Sequence, residues 1–259
     1  MQLEQLDRSW TLAINSLHSS FTDPIMWFFS DKKVWIPFYV ALVALMFWKL
    51  GWKKALVLLA AVALTVLCCD QFANLIKHWV QRVRPVNDPL MIEQGLHILE
   101  WGGGFSFFSA HAANAFGVAC CTSVVFRKHC KGGLEVERKR KRLIDVYTVV
   151  MIGWAFLVSI SRIFVGKHFL GDVVVGAVVG VVFGLIFGCV TNLIIEKFVI
   201  HDADRVYGSE RASTTEKRVT KKGHPLFCEG GVAPQRQLAS ERTPFASLTP
   251  IPPIVIAKR

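Results

Sequence analysis

Five apolar segments constrain this chain more than any other feature, because each must satisfy its own backbone if it enters a bilayer. They run from Val34 to about Trp48, and from Ala55 to Cys69 with helical spacing continuing toward Val80. Three more run from about Ser109 to Phe126, from Val146 to about Ile160 and from Val173 to about Ile195. Several fall short of the roughly 17–25 residues of a spanning helix, and flanking residues extend them. Hydrocarbon offers no partner to a peptide group, so all five are expected to be helices. The predicted fold class is all-α: a polytopic membrane helix bundle with about five spans. Composition agrees. Hydrophobic residues make up 53% of the chain, charged residues 19%, and the mean hydropathy is +0.41. These values exclude an ordinary soluble domain and a disordered or collagen-like chain.

The segments before and after the spans differ in character. In residues 1–33, Trp10, Leu12, Ile14, Leu17 and Phe21 recur with roughly helical spacing among polar residues. This pattern predicts an N-terminal amphipathic, interfacial helix. The first ten residues are acidic and polar, which does not fit a cleavable signal peptide. Residues 34–200 form the expected membrane-embedded domain. Residues 201–259 are polar and lack helical periodicity, and are expected to be a mostly disordered cytoplasmic tail.

The charge balance is +11, from 30 Lys and Arg against 19 Asp and Glu. The basic residues gather at Lys49, Lys53 and Lys54, in the run RKHCKGGLEVERKRKR at 127–142, and in the tail. Cytoplasmic loops concentrate Lys and Arg, so this pattern describes membrane orientation and no nucleic-acid partner is expected. Counting spans then places the N-terminus and the loops after the second and fourth spans outside. The seven cysteines include the adjacent pairs Cys68/Cys69 and Cys120/Cys121 within apolar runs, and form no C-x-x-C. They are expected to be small apolar filler. H-E-x-x-H, paired aspartates and a complete Walker A loop do not occur, so no metal and no cofactor are expected.

Polar residues are most informative where lipid makes them costly. They cluster at the outer ends of spans two to five. In CDQFANLIKHWVQRVRP, Asp70, Asn74 and Lys77 share a helical face, and Arg84 and Pro85 follow. This is either a cationic site or a pair of side chains snorkelling at the membrane edge. In WGGGFSFFSAHAAN, three glycines precede a helix starting near Ser109, with Ala110 and His111 in its first turn. Free N–H groups and the positive end of the dipole favour a phosphate there. In SRIFVGKHFLGD, His168 and Asp172 are four apart. On one helical face, the carboxylate can fix the imidazole tautomer and sharpen its free nitrogen as a nucleophile. The same stripe continues as Gly176, Gly180, Gly184 and Gly188, so it should face another helix. Two histidines, a carboxylate, a serine and at least three cations on one side of the membrane suit phosphoryl transfer through a phosphohistidine.

Read together, these three segments resemble the type 2 phosphatidic acid phosphatase family, which is related to vanadium haloperoxidases. Lys77, Arg84 and Pro85 match K-x6-R-P. Ser161, Arg162, His168 and Asp172 match S-R-x5-H-x3-D. Phe108-Ser109-Ala110-His111 stands where the family has P-S-G-H, with Ser and His kept. The resemblance implies a metal-independent phosphatase. His168 would be the nucleophile, Asp172 its orienting partner, and His111 the general acid and then the base. Lys77, Arg84, Ser109, Ala110 and Arg162 would bind phosphate. The expected substrate is an outer-leaflet lipid: undecaprenyl diphosphate, a lipid A phosphate, phosphatidylglycerol phosphate or phosphatidic acid. Phosphoryl transfer to an acceptor other than water, and a non-catalytic phospholipid-binding or transport protein, are the alternatives. The expected location is a bacterial inner membrane, with the site on the periplasmic face.

Overall fold

A computed structural model describes residues 2–130 and 134–200, with side chains at 2–130 and 141–198. The expectation of a disordered tail concerns residues outside this range. Among the described residues eight α-helices follow one another: α1 (Gln2–Asn15), α2 (Thr22–Ser30), α3 (Ile36–Leu50), α4 (Trp52–Val80), the short α5 (Pro89–Glu93), α6 (Ala110–His129), α7 (Leu134–Phe164) and α8 (Leu170–Ile194). No strand occurs among the described residues. The five expected spans correspond to α3, α4, α6, α7 and α8. Gly51 alone joins α3 to α4, and its φ of +77° is a turn that a side chain resists. Cys68, Cys69, Cys120, Cys121 and Cys189 form no disulfide.

Among the described residues four stretches are long and apolar enough to cross a membrane: Lys32–Leu50, Trp52–Glu93, Lys141–Phe164 and Leu170–Phe198. The more polar α6 is the best buried helix. It packs on α4, α7 and α8, so protein rather than lipid surrounds it. That setting tolerates Asn114, Thr122 and Ser123 in its sequence. Asn114 donates to Asp70 on α4 at 2.9 Å, and Thr122 accepts from Tyr147 on α7 at 2.7 Å.

The glycine stripe of α8 faces α6, as its spacing predicts. A Cβ at Gly176 would lie 2.5 Å from the Ser109 carbonyl oxygen, and one at Gly184 would lie 2.5 Å from that of Gly117. At Gly180 the Ala113 carbonyl would be closer still. Ser109, Ala113, Gly117 and Cys121 form the matching i, i+4 row on α6. The two helices therefore run parallel with their backbones in near contact. Thr65 on α4 reaches Gly117, and Cys69 lies 3.8 Å from the Ala113 carbonyl, so α4 is antiparallel to α6. The end of α4, the start of α6, the end of α7 and the start of α8 thus share one end of the bundle. Lys49, Lys53, Lys54, Arg127, Lys128, Lys141 and Arg142 lie at the other.

The N-terminal segment is two helices, and the bundle uses its polar side as much as its apolar one. Trp10, Leu17 and Phe21 are exposed, whereas Leu12 and Ile14 pack against buried clusters. The deepest residues of α1 are Thr11 and Asn15. Asn15 donates to the carbonyls of Ile163 and Phe164 at 3.2 and 3.1 Å, so α1 caps the end of α7.

Candidate active site

At the start of α8, Asp172 is a hub. It is fully buried. Its Oδ1 accepts from Arg82 Nη1 at 2.8 Å. Its Oδ2 accepts from the Phe169 N–H at 3.0 Å and from the Ser106 hydroxyl, and lies 3.6 Å from His168 Nδ1. The Ser106 oxygen is itself 3.5 Å from that Nδ1. The serine therefore stands between carboxylate and imidazole. It donates to Asp172 and offers its lone pairs to an Nδ1–H, which leaves Nε2 as the ring's free nucleophilic atom. Burial lowers the His168 pKa to about 4, against the opposing pull of the Asp172 carboxylate. The ring is thus neutral at physiological pH, as a nucleophile must be.

At the start of α6, Ser109 is the N-cap. Its hydroxyl oxygen lies 3.5 Å from the Ala112 N–H, and its own N–H donates to the Asp172 carbonyl at 3.0 Å. This last bond ties the beginnings of α6 and α8 together. Ala110 is the first helical residue. No glycine-only conformation is required there, so alanine in place of the family glycine fits the helix. Phe108, in place of the family proline, is buried against Cys69, Ala73 and Ala113. His111 is partly exposed and lines a cavity of about 420 Å³ together with Lys32, Asp70 and Asn114.

The cations converge on the same end. His111 lies within electrostatic reach of Arg162, Lys32, His168 and Lys77. Lys77 couples likewise to Arg84 and Asp172, and Arg162 to Arg84. Arg84 donates through Nε to the Gly104 carbonyl at 3.3 Å. Arg162 is 4% exposed, and its Nη1 donates to the Ser30 carbonyl at 3.2 Å and to the Ser30 hydroxyl. Its Nε is buried without a hydrogen-bond partner. An unpaired buried guanidinium nitrogen is costly, and an oxyanion is the partner that would satisfy it. The structure thus brings together His168, His111, Asp172, Lys77, Arg84, Ser109, Ala110 and Arg162. Asn74 is exposed.

Sequence reasoning missed a supporting layer. Arg82 links Asp172 to Asp7 of α1 at 2.7 Å, and its guanidinium stacks on Phe169 at 3.8 Å. Asp7 Oδ1 also accepts from the Gly171 N–H at 2.7 Å, and Thr11 from the Leu170 N–H at 2.9 Å. The first turn of α8 is therefore capped from α1, many residues away in sequence. Opposite it, Lys167 pairs with Glu100 in the loop before α6. Asp7→Ala should lower kcat by about tenfold with KM unchanged, the equivalent of one charge-assisted hydrogen bond. Steady-state kinetics on the purified variant would check this, and unchanged kcat would make the contact purely structural.

Known proteins place this arrangement. Residues 54–195 match the model of the PAP2 superfamily. A lipid A 4'-phosphatase of Bacteroides thetaiotaomicron is 35% identical over 179 residues, covering 68% of this chain and 72% of that protein. A lipid A 4'-phosphatase of Porphyromonas gingivalis is 29% identical, covering 66% and 67%. The crystal structure of a transmembrane PAP2-type phosphatidylglycerolphosphate phosphatase from Bacillus subtilis shares the fold. Its TM-score is 0.58 at 21% identity, over 76% of this chain and 89% of that one. With its motif residues gathered at one end of a helical bundle and a family match over more than half its length, the chain belongs to the PAP2 superfamily, as one of its membrane phosphatases.

Proposed function

We propose that this chain hydrolyses a phosphomonoester of a membrane lipid, with a lipid A phosphate the best-supported of the four expected substrates. The two lipid A 4'-phosphatases among its relatives support that choice. The observation that carries the reading is the joining of two features at His111. On one side lie His168 and the cations, and on the other an apolar cavity between α2, α3, α4, α6 and α7. Its volume falls within the roughly 300–1,000 Å³ of ligand pockets. Phe29, Trp35, Leu42, Met46 and Val158 line it away from the polar rim. A phosphate held by the cations would leave its lipid portion facing this lining.

In the mechanism, Lys77, Arg84, Arg162 and the N–H groups at the start of α6 neutralise the phosphate oxygens. His168 Nε2 attacks phosphorus in line, and the P–O bond to the lipid breaks. His111, protonated, delivers its proton to the leaving oxygen. It then removes a proton from water, whose oxygen attacks the phosphohistidine and releases phosphate and neutral His168. The roles are metal-independent, because the cations and helix N–H groups supply the charge stabilisation. Phosphate release from the four lipids by detergent-purified protein, with chelator present, tests the reading. Release from the lipid A phosphate supports it, and release from none of the four would overturn it.

The pH profile follows from the buried imidazole. Neutral His168 is the active form, and its pKa of about 4 keeps it neutral through the physiological range. After correction for the second ionisation of the phosphate near pH 6, log kcat/KM should fall on the acid side only as pH nears about 4. An alkaline limb should follow in kcat, which reports the substrate complex, as His111 loses the proton that the bound phosphate helps it hold. An acid-side bend at the ordinary histidine value would mean a solvated ring and a different nucleophile. A profile flat from about pH 5 to 9 with chemistry rate-limiting would remove the acid–base pair.

The site is proposed to face the periplasm, with the C-terminal tail in the cytoplasm. The support is the separation between motif residues and loop lysines and arginines at opposite ends of the bundle. In a cysteine-free background, a cysteine at Gln94 should react with an impermeant maleimide in intact cells, and one at Lys141 should not. The reverse labelling pattern would invert the topology.

A further inference from the structure

We propose that His18, Asp23 and His97 form a divalent transition-metal site, of the kind suited to Zn²⁺, outside the phosphate-binding residues. The segment between α1 and α2 supplies His18, the first turn of α2 supplies Asp23, and the loop between α5 and α6 supplies His97. The His18 and His97 rings are stacked with centroids 3.8 Å apart and planes within 7°. His97 Nε2 lies 3.1 Å from Asp23 Oδ2. One ligand atom from each of the three residues lies within 4.8 Å of the others. The second carboxylate oxygen, Asp23 Oδ1, is buried and has no hydrogen-bond partner.

The chemistry of the donor set selects the ion. Two neutral imidazoles and a carboxylate offer two nitrogens and an oxygen with a single negative charge. Imidazole suits zinc and its neighbours, whereas calcium and magnesium prefer all-oxygen shells. Three protein ligands plus water would complete a tetrahedron. The third ligand is held in place before any ion arrives. The His97 N–H donates to Asn15 Oδ1 at 2.8 Å, and Asn15 Nδ2 donates to the His97 carbonyl at 3.0 Å. His18 is exposed and can turn out of the stack to direct a lone pair at the ion. A bound ion would join the α1–α2 corner to the loop that leads to Gly104 and to Glu100, the partner of Lys167. It would therefore brace the rim of the phosphate site without entering it.

The test uses the full chain, purified in detergent with a tag free of histidine, stripped with chelator and exchanged into chelator-free buffer. Co²⁺ is titrated with visible absorption as readout, and Zn²⁺ by competition. The expected result is about one equivalent of tetrahedral Co²⁺ without a thiolate charge-transfer band, since the site contains no cysteine. His97→Gln and Asp23→Asn should weaken binding by more than about tenfold, as loss of a ligand costs at least as much as loss of a supporting contact. His18→Gln changes only an exposed ring, so its folding is safe, and it should weaken binding likewise. His168→Ala should bind like the parent. No binding, a thiolate band, or binding lost in His168→Ala and kept in His18→Gln would each overturn the proposal.

Discussion

Replacing His168 by alanine is expected to lower turnover by about 10⁴-fold or more, the scale on which enzymes lose activity when their nucleophile is removed. KM should move little, because in the proposed mechanism the cations rather than the imidazole hold the phosphate. Asp172→Asn is expected to act on the same step by another route. It removes the charge that Arg82, Ser106 and the Phe169 N–H all address, and with it the preference for the Nδ1–H tautomer of His168. A loss of about 10³-fold in kcat is expected, somewhat below that of the comparable change in a serine protease triad. That smaller figure reflects Ser106, whose oxygen also faces His168 Nδ1 and can keep part of the ring's orientation. Rapid acid or base quenching separates the two variants. His168→Ala cannot form a base-stable phosphohistidine, while Asp172→Asn forms one slowly. Full activity in Asp172→Asn would remove the aspartate from the mechanism.

Much of this arrangement was legible in the sequence, for a physical reason. Charged and polar residues at span ends are scarce, so Lys77, Arg84, Ser109, His111, Arg162, His168 and Asp172 stood out against apolar surroundings. Helical period then carried the reading further: the i+4 glycines of α8 forecast a close neighbour before α6 could be named as that neighbour. Residues in the polar N-terminal segment gave no such contrast. Asp7 and Thr11 sit among other polar residues of α1, and only the fold brings them to the first turn of α8. Ser30 meets Arg162 across 132 positions, a pairing that no local pattern encodes. Arg82 was hidden by its company, since one more basic residue beside Arg84 reads as membrane-edge charge. Ser106 was overshadowed by Ser109 three residues later, which carried the helix-start signal. The residues proposed to perform chemistry were thus visible by type and spacing, whereas those that would position them depend on contacts between distant segments.

Gly180→Val tests whether that positioning depends on backbone contact between α6 and α8. A Cβ at Gly180 would press on the Ala113 carbonyl, which is helical backbone and cannot turn aside as a flexible side chain could. The helices must separate or shift along each other, at a cost of roughly 3 kcal/mol or more. The displacement would pass directly to the site. Ser109 and His111 begin α6, Asp172 begins α8, and the Ser109 N–H bond to the Asp172 carbonyl spans the two at 3.0 Å. A misplacement of about 1 Å can cost 10²-fold in rate. The expected result is a lower melting temperature, less monodisperse protein, and at least about 10²-fold lower kcat in whatever folds. Gly153→Val on α7 is the matched control, since a Cβ there meets nothing within 4 Å, and it should behave like the parent. Equal loss in both variants would point to a general intolerance of valine in these helices. Loss confined to Gly180 would show that α6 and α8 hold the catalytic groups in register through their backbones.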